Sequence, residues 1–319
     1  MKGFDLKKLS KHRAVLMGFA AILIMLYHTT SASDFTRLGV AGKIFSFGNA
    51  GVDIFLLLSG FGCFFSFSRK QDVRNFYTKR FKTILPVSTV CVIAFVAVNA
   101  TLGISPFVKG ILNCLRLGSD NPAWYIPFTL LMYLAFPLIY ERLSKANGYC
   151  FAGLLSAAAI VVSLVLSKLN YPLYCSVEAS LIRIPMFVLG AVCGKMAMNG
   201  QRNKWIWLAL PGTVAAWMMG NWFTGEWEMV FFRLTRSGLG IIAVLALCCF
   251  IEHLENIFAY KWLARCGAMS LELYLIHNLT KSVFEACGKL DLQMYFLIVV
   301  LTVIVSIPVS NWRSARKSI

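Results

Sequence analysis

Long apolar runs, broken by short clusters of Lys, Arg, Gly, Pro and Asn, recur along the whole 319-residue chain. Ten such runs lie near residues 14–33, 44–68, 83–104, 123–141, 150–167, 180–198, 204–223, 238–253, 269–287 and 292–310. A helix rises about 1.5 Å per residue, so about twenty apolar residues cross roughly 30 Å of hydrocarbon. The pattern predicts an all-α polytopic membrane bundle of about ten transmembrane helices. It forms one domain over 1–319, with a basic N-terminal stretch at 1–13 and a basic tail at 311–319. Within 269–310 a reading other than two full spans stays open. No fixed-period repeat, long linker or soluble domain interrupts the series.

Composition strengthens this picture. Hydrophobic residues make up 58% of the chain, charged residues 14%, and the mean hydropathy is +0.70. A soluble domain carries about 25% charged residues. The net charge of +17 would suggest nucleic acid in a soluble protein. Here the positive-inside rule accounts for it, and no nucleic acid partner is expected. With the N-terminus inside, 21 of the 31 Lys and Arg fall on the cytoplasmic side, so both termini are expected there.

The ten cysteines form no CxxC and lie mostly in apolar runs, as small packing residues would. Cys114 and Cys175 share a predicted side, which leaves a bridge between them open. No metal site is expected. Residues 1–33 loosely mimic a signal peptide, but the apolar core is long, and the segment is read as a retained anchor.

A few polar side chains interrupt the spans, where each must have a partner or a wet cavity. His28 closes the first run and reads either as a site residue or as an interfacial side chain beside Tyr27. Asp53 lies in GNAGVDIFLLLSGFGCFF, and counting inward from the outer face gives it a depth similar to His28. The two would form an Asp–His pair; alternatively, Asp53 caps a helix start. Arg183 sits at the outer end of the sixth run, ready to pair with a carboxylate or a substrate anion. His277 lies within the ninth run, with structural and functional readings equally open. Trp124 and Tyr125 open the fourth run as interfacial anchors or as sugar-facing rings. Arg80 and Lys82 precede the third run, where they either set topology or hold a phosphate-bearing ligand.

Four stretches in this order resemble acyltransferase family 3. They are GFAAILIMLYH ending at His28, GVDIFLLLSGF from Gly51, RIPMFVLG from Arg183, and GAMSLELYLIH ending at His277. FYTKRFKTILP and AWYIPFTLLMYLAFP fit between them. Two departures stand out. Met17 occupies the position eleven residues before His28 where the family often has arginine. Of two family arginines spaced three apart, Arg80 matches one and Thr83 replaces the other, with Lys82 as a compensating charge.

The resemblance implies transfer of an acyl group, usually acetyl, from cytoplasmic acyl-CoA to a hydroxyl of a surface glycan or its lipid-linked precursor. It implies a bacterial cytoplasmic membrane location and a role in capsule, O-antigen, exopolysaccharide or peptidoglycan modification. On this reading His28 is the general base and Asp53 orients it, while Arg183 assists the acceptor or oxyanion. Arg80 and Lys82 hold the CoA phosphates, and Trp124, Tyr125 and His277 contact substrate. A proton-coupled transporter using the same polar residues is the competing reading, and a membrane scaffold is the third.

Overall fold

The computed structural model describes residues 3–223 and 225–315; Lys2, Arg316 and Lys317 of the basic termini lie outside that range. In chain order its α-helices begin with α1 (Lys7–Lys11), α2 (Arg13–Tyr27), α3 (Gly39–Phe45), α4 (Ala50–Ser68) and α5 (Val73–Thr101). They continue with α6 (Phe107–Cys114), α7 (Tyr125–Ser144), α8 (Gly148–Leu169), α9 (Tyr171–Leu181) and α10 (Ile184–Met198). The last are α11 (Ala209–Trp222), α12 (Glu226–Phe250), α13 (Phe258–Ala268), α14 (Ser270–Ala286) and α15 (Leu292–Ala315). No strand occurs among the described residues, only an isolated bridge between Phe4 and Asn203.

Each of the ten predicted runs is helical, but among the described residues eight helical segments are long and apolar enough to cross a membrane. The two that fall short are α11 and α14. Helix α11 has 14 residues and is extended by one 3₁₀ turn at Trp205–Leu208. Helix α14 has 17 residues and carries Glu272, His277, Asn278 and Lys281, all buried. A helix enclosed by neighbours need not be apolar all round, because its polar side can face an internal cavity instead of lipid.

The α4 helix is the axis of the bundle. Of its 19 residues, 15 are buried, so almost its whole circumference meets other helices. Glycine makes this approach close. Gly60 of α4 lies against the Phe187 carbonyl of α10, and Gly190 of α10 lies against the Leu57 carbonyl. A side chain at either position would enter the facing backbone, so glycine here sets the spacing of the two helices. Gly18 and Gly267 pair α2 with α13 in the same way.

Candidate functional site

Two cavities open at opposite ends of the bundle. The proximal one, at the end where α2 begins, has a volume of about 610 Å³ and is lined by Arg13, Met17, Phe55, Ser59, Arg80, Thr83, Tyr125, Tyr133, Tyr274 and Arg313, among others. The distal one, at the far end of α2, has about 670 Å³. Its wall includes Tyr27, His28, Ser31, Asn49, Asn99, Asn121, Trp124, Arg183, Arg233, Tyr274, Asn278 and Lys281. Both volumes lie in the range of small-molecule sites. Tyr274 lines both cavities and is the partition between them. Its hydroxyl donates to the Pro122 carbonyl at 3.2 Å, and its ring lies 5.4 Å from that of Tyr125.

His28 lines the distal cavity, but its partner is not Asp53. Its Nδ1 lies 3.2 Å from Nε2 of His277, and the two ring centroids are 5.1 Å apart. His277 is 1% exposed and does not line the cavity, so it stands behind His28 instead of touching a ligand. Packing register separates Asp53 from His28. Gly48 sits against the Leu23 carbonyl and Gly51 against that of Ala20, so α4 runs down α2 from this point. That places Asp53 at least two helical turns, on the order of 12 Å, nearer the proximal end than His28.

Asp53 belongs to a different cluster. Its Oδ1 accepts from Ser237 Oγ at 2.7 Å and lies 3.6 Å from Arg183 Nε, a charge contact and not a hydrogen bond. Arg183 donates from Nη1 to the Ala179 carbonyl at 2.8 Å and from Nη2 to Asn49 Oδ1 at 2.9 Å. Its guanidinium centre lies 5.1 Å from the Trp124 ring centroid. A buried cation is tolerable only when paired and hydrogen-bonded, and here an acid, an amide, a carbonyl and an aromatic face share that task. A second pair, half-buried Arg233 with buried Glu178 at 2.9 Å, ties α12 to α9 beside it.

Trp124 and Tyr125 are adjacent in sequence yet serve different cavities. Trp124, 8% exposed, walls the distal cavity under Arg183 and is no interfacial anchor. Tyr125 walls the proximal one.

In the proximal cavity Arg80 donates from Nη2 to the Gly62 carbonyl at 3.0 Å and to Ser66 Oγ at 3.2 Å, with its guanidinium over Phe76 and Tyr133. Lys82 is exposed and does not line the cavity. Two residues along a helix turn a side chain by about 200°, so Arg80, Thr83 and Ile84 share the inward face and Lys82 leaves it. Of the other wall cations, Lys11 pairs with Glu255 at 2.8 Å, while Arg13 has a buried Nε with no hydrogen-bond partner. It lies one turn before Met17 and offers the cavity a guanidinium from the same helix face. Among the described residues, neither Arg13 nor Arg80 has a carboxylate partner, whereas Arg313 Nε lies 2.8 Å from Glu272. The cavity therefore presents two uncompensated cations, an arrangement suited to phosphate.

In the sequence Arg13 is one of the basic residues ahead of the first apolar run, and Tyr274, Asn278 and Lys281 are not among the candidate site residues. A signal was present. Ser270, Tyr274, His277 and Lys281 recur at helical spacing along α14, a polar stripe on a predicted membrane helix.

The comparisons with known proteins cover nearly the whole chain. The family model described as an acyltransferase domain, the third acyltransferase family, matches residues 15–311. A curated relative, acyltransferase MdmB of Streptomyces mycarofaciens, is 26% identical over 304 residues, spanning 82% of this chain and 76% of its own length. No solved structure matches.

Proposed function

The chain belongs to acyltransferase family 3 as a membrane acyltransferase, and on that premise we propose that it carries an acyl group, acetyl first among candidates, from acyl-CoA in the proximal cavity to a glycan hydroxyl in the distal one. The observation that carries this reading is the pairing of unlike cavities across Tyr274. One offers Arg13 and Arg80 without carboxylate partners, which fits the phosphates of a nucleotide-bearing thioester. The other offers amides and hydroxyls, the groups that hydrogen-bond sugars, together with a histidine.

The reaction needs a base at the distal side. His28 takes the acceptor hydroxyl proton as that oxygen attacks the thioester carbonyl carbon. The C–O bond forms, the carbonyl oxygen becomes an oxyanion, and collapse breaks the C–S bond. His28 then returns the proton to the departing thiolate. General-base help of this kind contributes about 10²–10⁴-fold. Arg183, on the same wall, adds a fixed positive field where the oxyanion develops. Tyr274 and Tyr125 guide the thioester arm between the cavities. The proximal end faces the cytoplasm on this reading, and the acceptor is a surface polysaccharide or its lipid-linked precursor.

The test is transfer of labelled acetyl from acetyl-CoA in inverted membrane vesicles carrying the wild-type protein or His28→Ala. Label entering a glycan fraction only with the wild type supports the assignment. Equal transfer by both removes His28 from the mechanism. If neither transfers label to supplied native envelope glycans while proton flux is observed, the transporter reading takes precedence.

A further inference from the structure

The contacts behind His28 fix which of its nitrogens can act. A neutral imidazole has one donor nitrogen and one acceptor nitrogen. His277 Nδ1 faces the main-chain carbonyl of Leu273, one turn earlier on α14. A carbonyl oxygen only accepts, so the His277 proton resides on Nδ1 and its Nε2 presents a lone pair. That lone pair lies 3.2 Å from His28 Nδ1. In the neutral pair the bridging proton therefore belongs to His28 Nδ1. His28 Nε2 is then the bare nitrogen, with no hydrogen-bond partner among the described residues, on the ring that lines the distal cavity.

We propose that His277 is a positioning residue that holds His28 in the Nδ1–H tautomer and so directs the basic Nε2 at the acceptor hydroxyl. The inference rests on His28 being the base and adds the residue that prepares it. A carboxylate is the usual orienting partner of a basic histidine. Here that task falls to a second, neutral imidazole whose own tautomer is set by main chain. When Nε2 receives the acceptor proton, His28 becomes an imidazolium. Its Nδ1–H bond to the His277 lone pair is then charge-assisted and stronger, which favours the proton transfer. No proton need leave His277 at any point. The placement also explains why a titratable side chain on α14 is buried behind the cavity wall.

Two measurements test this. The first is ¹⁵N NMR of histidine-labelled wild-type protein in nanodiscs at neutral pH, with the His28 signals assigned by their loss in His28→Ala. The expected spectrum has a protonated, pyrrole-type His28 Nδ1 and a pyridine-type Nε2; the reverse assignment overturns the proposal. The second compares His277→Leu with His277→Gln, whose side-chain carbonyl can accept from His28 Nδ1. His277→Leu is expected to lower kcat about 10²-fold or more while KM for acetyl-CoA stays within about two-fold. His277→Gln is expected to recover most of that loss. Equal kcat in wild type and His277→Leu, with His28→Ala inactive, would sink the positioning role and leave the base assignment standing. Inactive His28→Ala, combined with Leu and Gln variants equally impaired, would do the same.

Discussion

At the scale of single residues, burial and partnership separate side chains that look alike in sequence. His28 and His277 are both intramembrane histidines, yet one lines a cavity and the other supports it from behind. Asp53 and Arg183 lie in charge contact within one buried cluster beside the distal cavity, so the Asp53 carboxylate faces the arginine and not His28. Arg80 and Lys82 are two residues apart and point to different surroundings. This yields a contrast on the donor side. Arg13→Gln is expected to raise KM for acetyl-CoA about ten-fold or more, the worth of a charge-assisted hydrogen bond of about 1.5–3 kcal/mol. Lys82→Gln is expected to leave it within about two-fold. Initial rates against acetyl-CoA concentration in vesicles read both. Similar effects from the two variants would count against a cavity-based donor site.

At the scale of elements, what matters is how closely helices approach. The α4–α10 contact is set by Gly60 and Gly190, each lying on the other helix's main chain. Gly60→Ala is expected to destabilise the fold by about 1–3 kcal/mol, since backbone cannot yield as a side chain can. Gly153 of α8 provides the control, for a methyl group there meets nothing within 4 Å. Gly153→Ala should be neutral or stabilising by up to about 1 kcal/mol, the helix-propensity gain of alanine. Thermal unfolding in detergent should order the three proteins with Gly60→Ala lowest. Such close approach keeps Asp53 level with the lower turns of α2, and thereby away from His28.

At the scale of the whole molecule, the N-terminal segment is fastened to the stretch before α13. Lys8 lies 3.0 Å from Glu252, and Lys11 lies 2.8 Å from Glu255. These exposed pairs contribute little. Between them His12 is fully buried, its Nδ1 3.3 Å from the Tyr260 hydroxyl. Burial holds its pKa below the ordinary 6.5, Lys11 pushes the same way, and Glu255 opposes them. The unfolded chain therefore binds a proton more readily than the folded one. Stability contributed by neutral His12 is present above about pH 6.5 and is lost as pH falls below it. Unfolding midpoints in detergent are expected to drop from pH 7.5 to 5.5, more steeply for wild type than for His12→Gln. Parallel slopes would show that His12 is not the group responsible.

The sequence by itself determined the class of the molecule, the places of its ten helical runs, the family and the short list of polar residues with chemical potential. These follow from hydropathy along the chain and from local motifs, which need no knowledge of neighbours. Tertiary structure decided which polar residues meet. The partner of His28, the buried Asp53–Arg183 cluster, the outward turn of Lys82, the place of Arg13 on the proximal wall and the division of Trp124 from Tyr125 all depend on helix rotation and register. Those are fixed by contacts between residues far apart in sequence. A shift of two residues turns a side chain about 200° around its helix, and ten residues carry it about 15 Å along the axis. A hydropathy profile registers neither displacement, and the site is assembled from both.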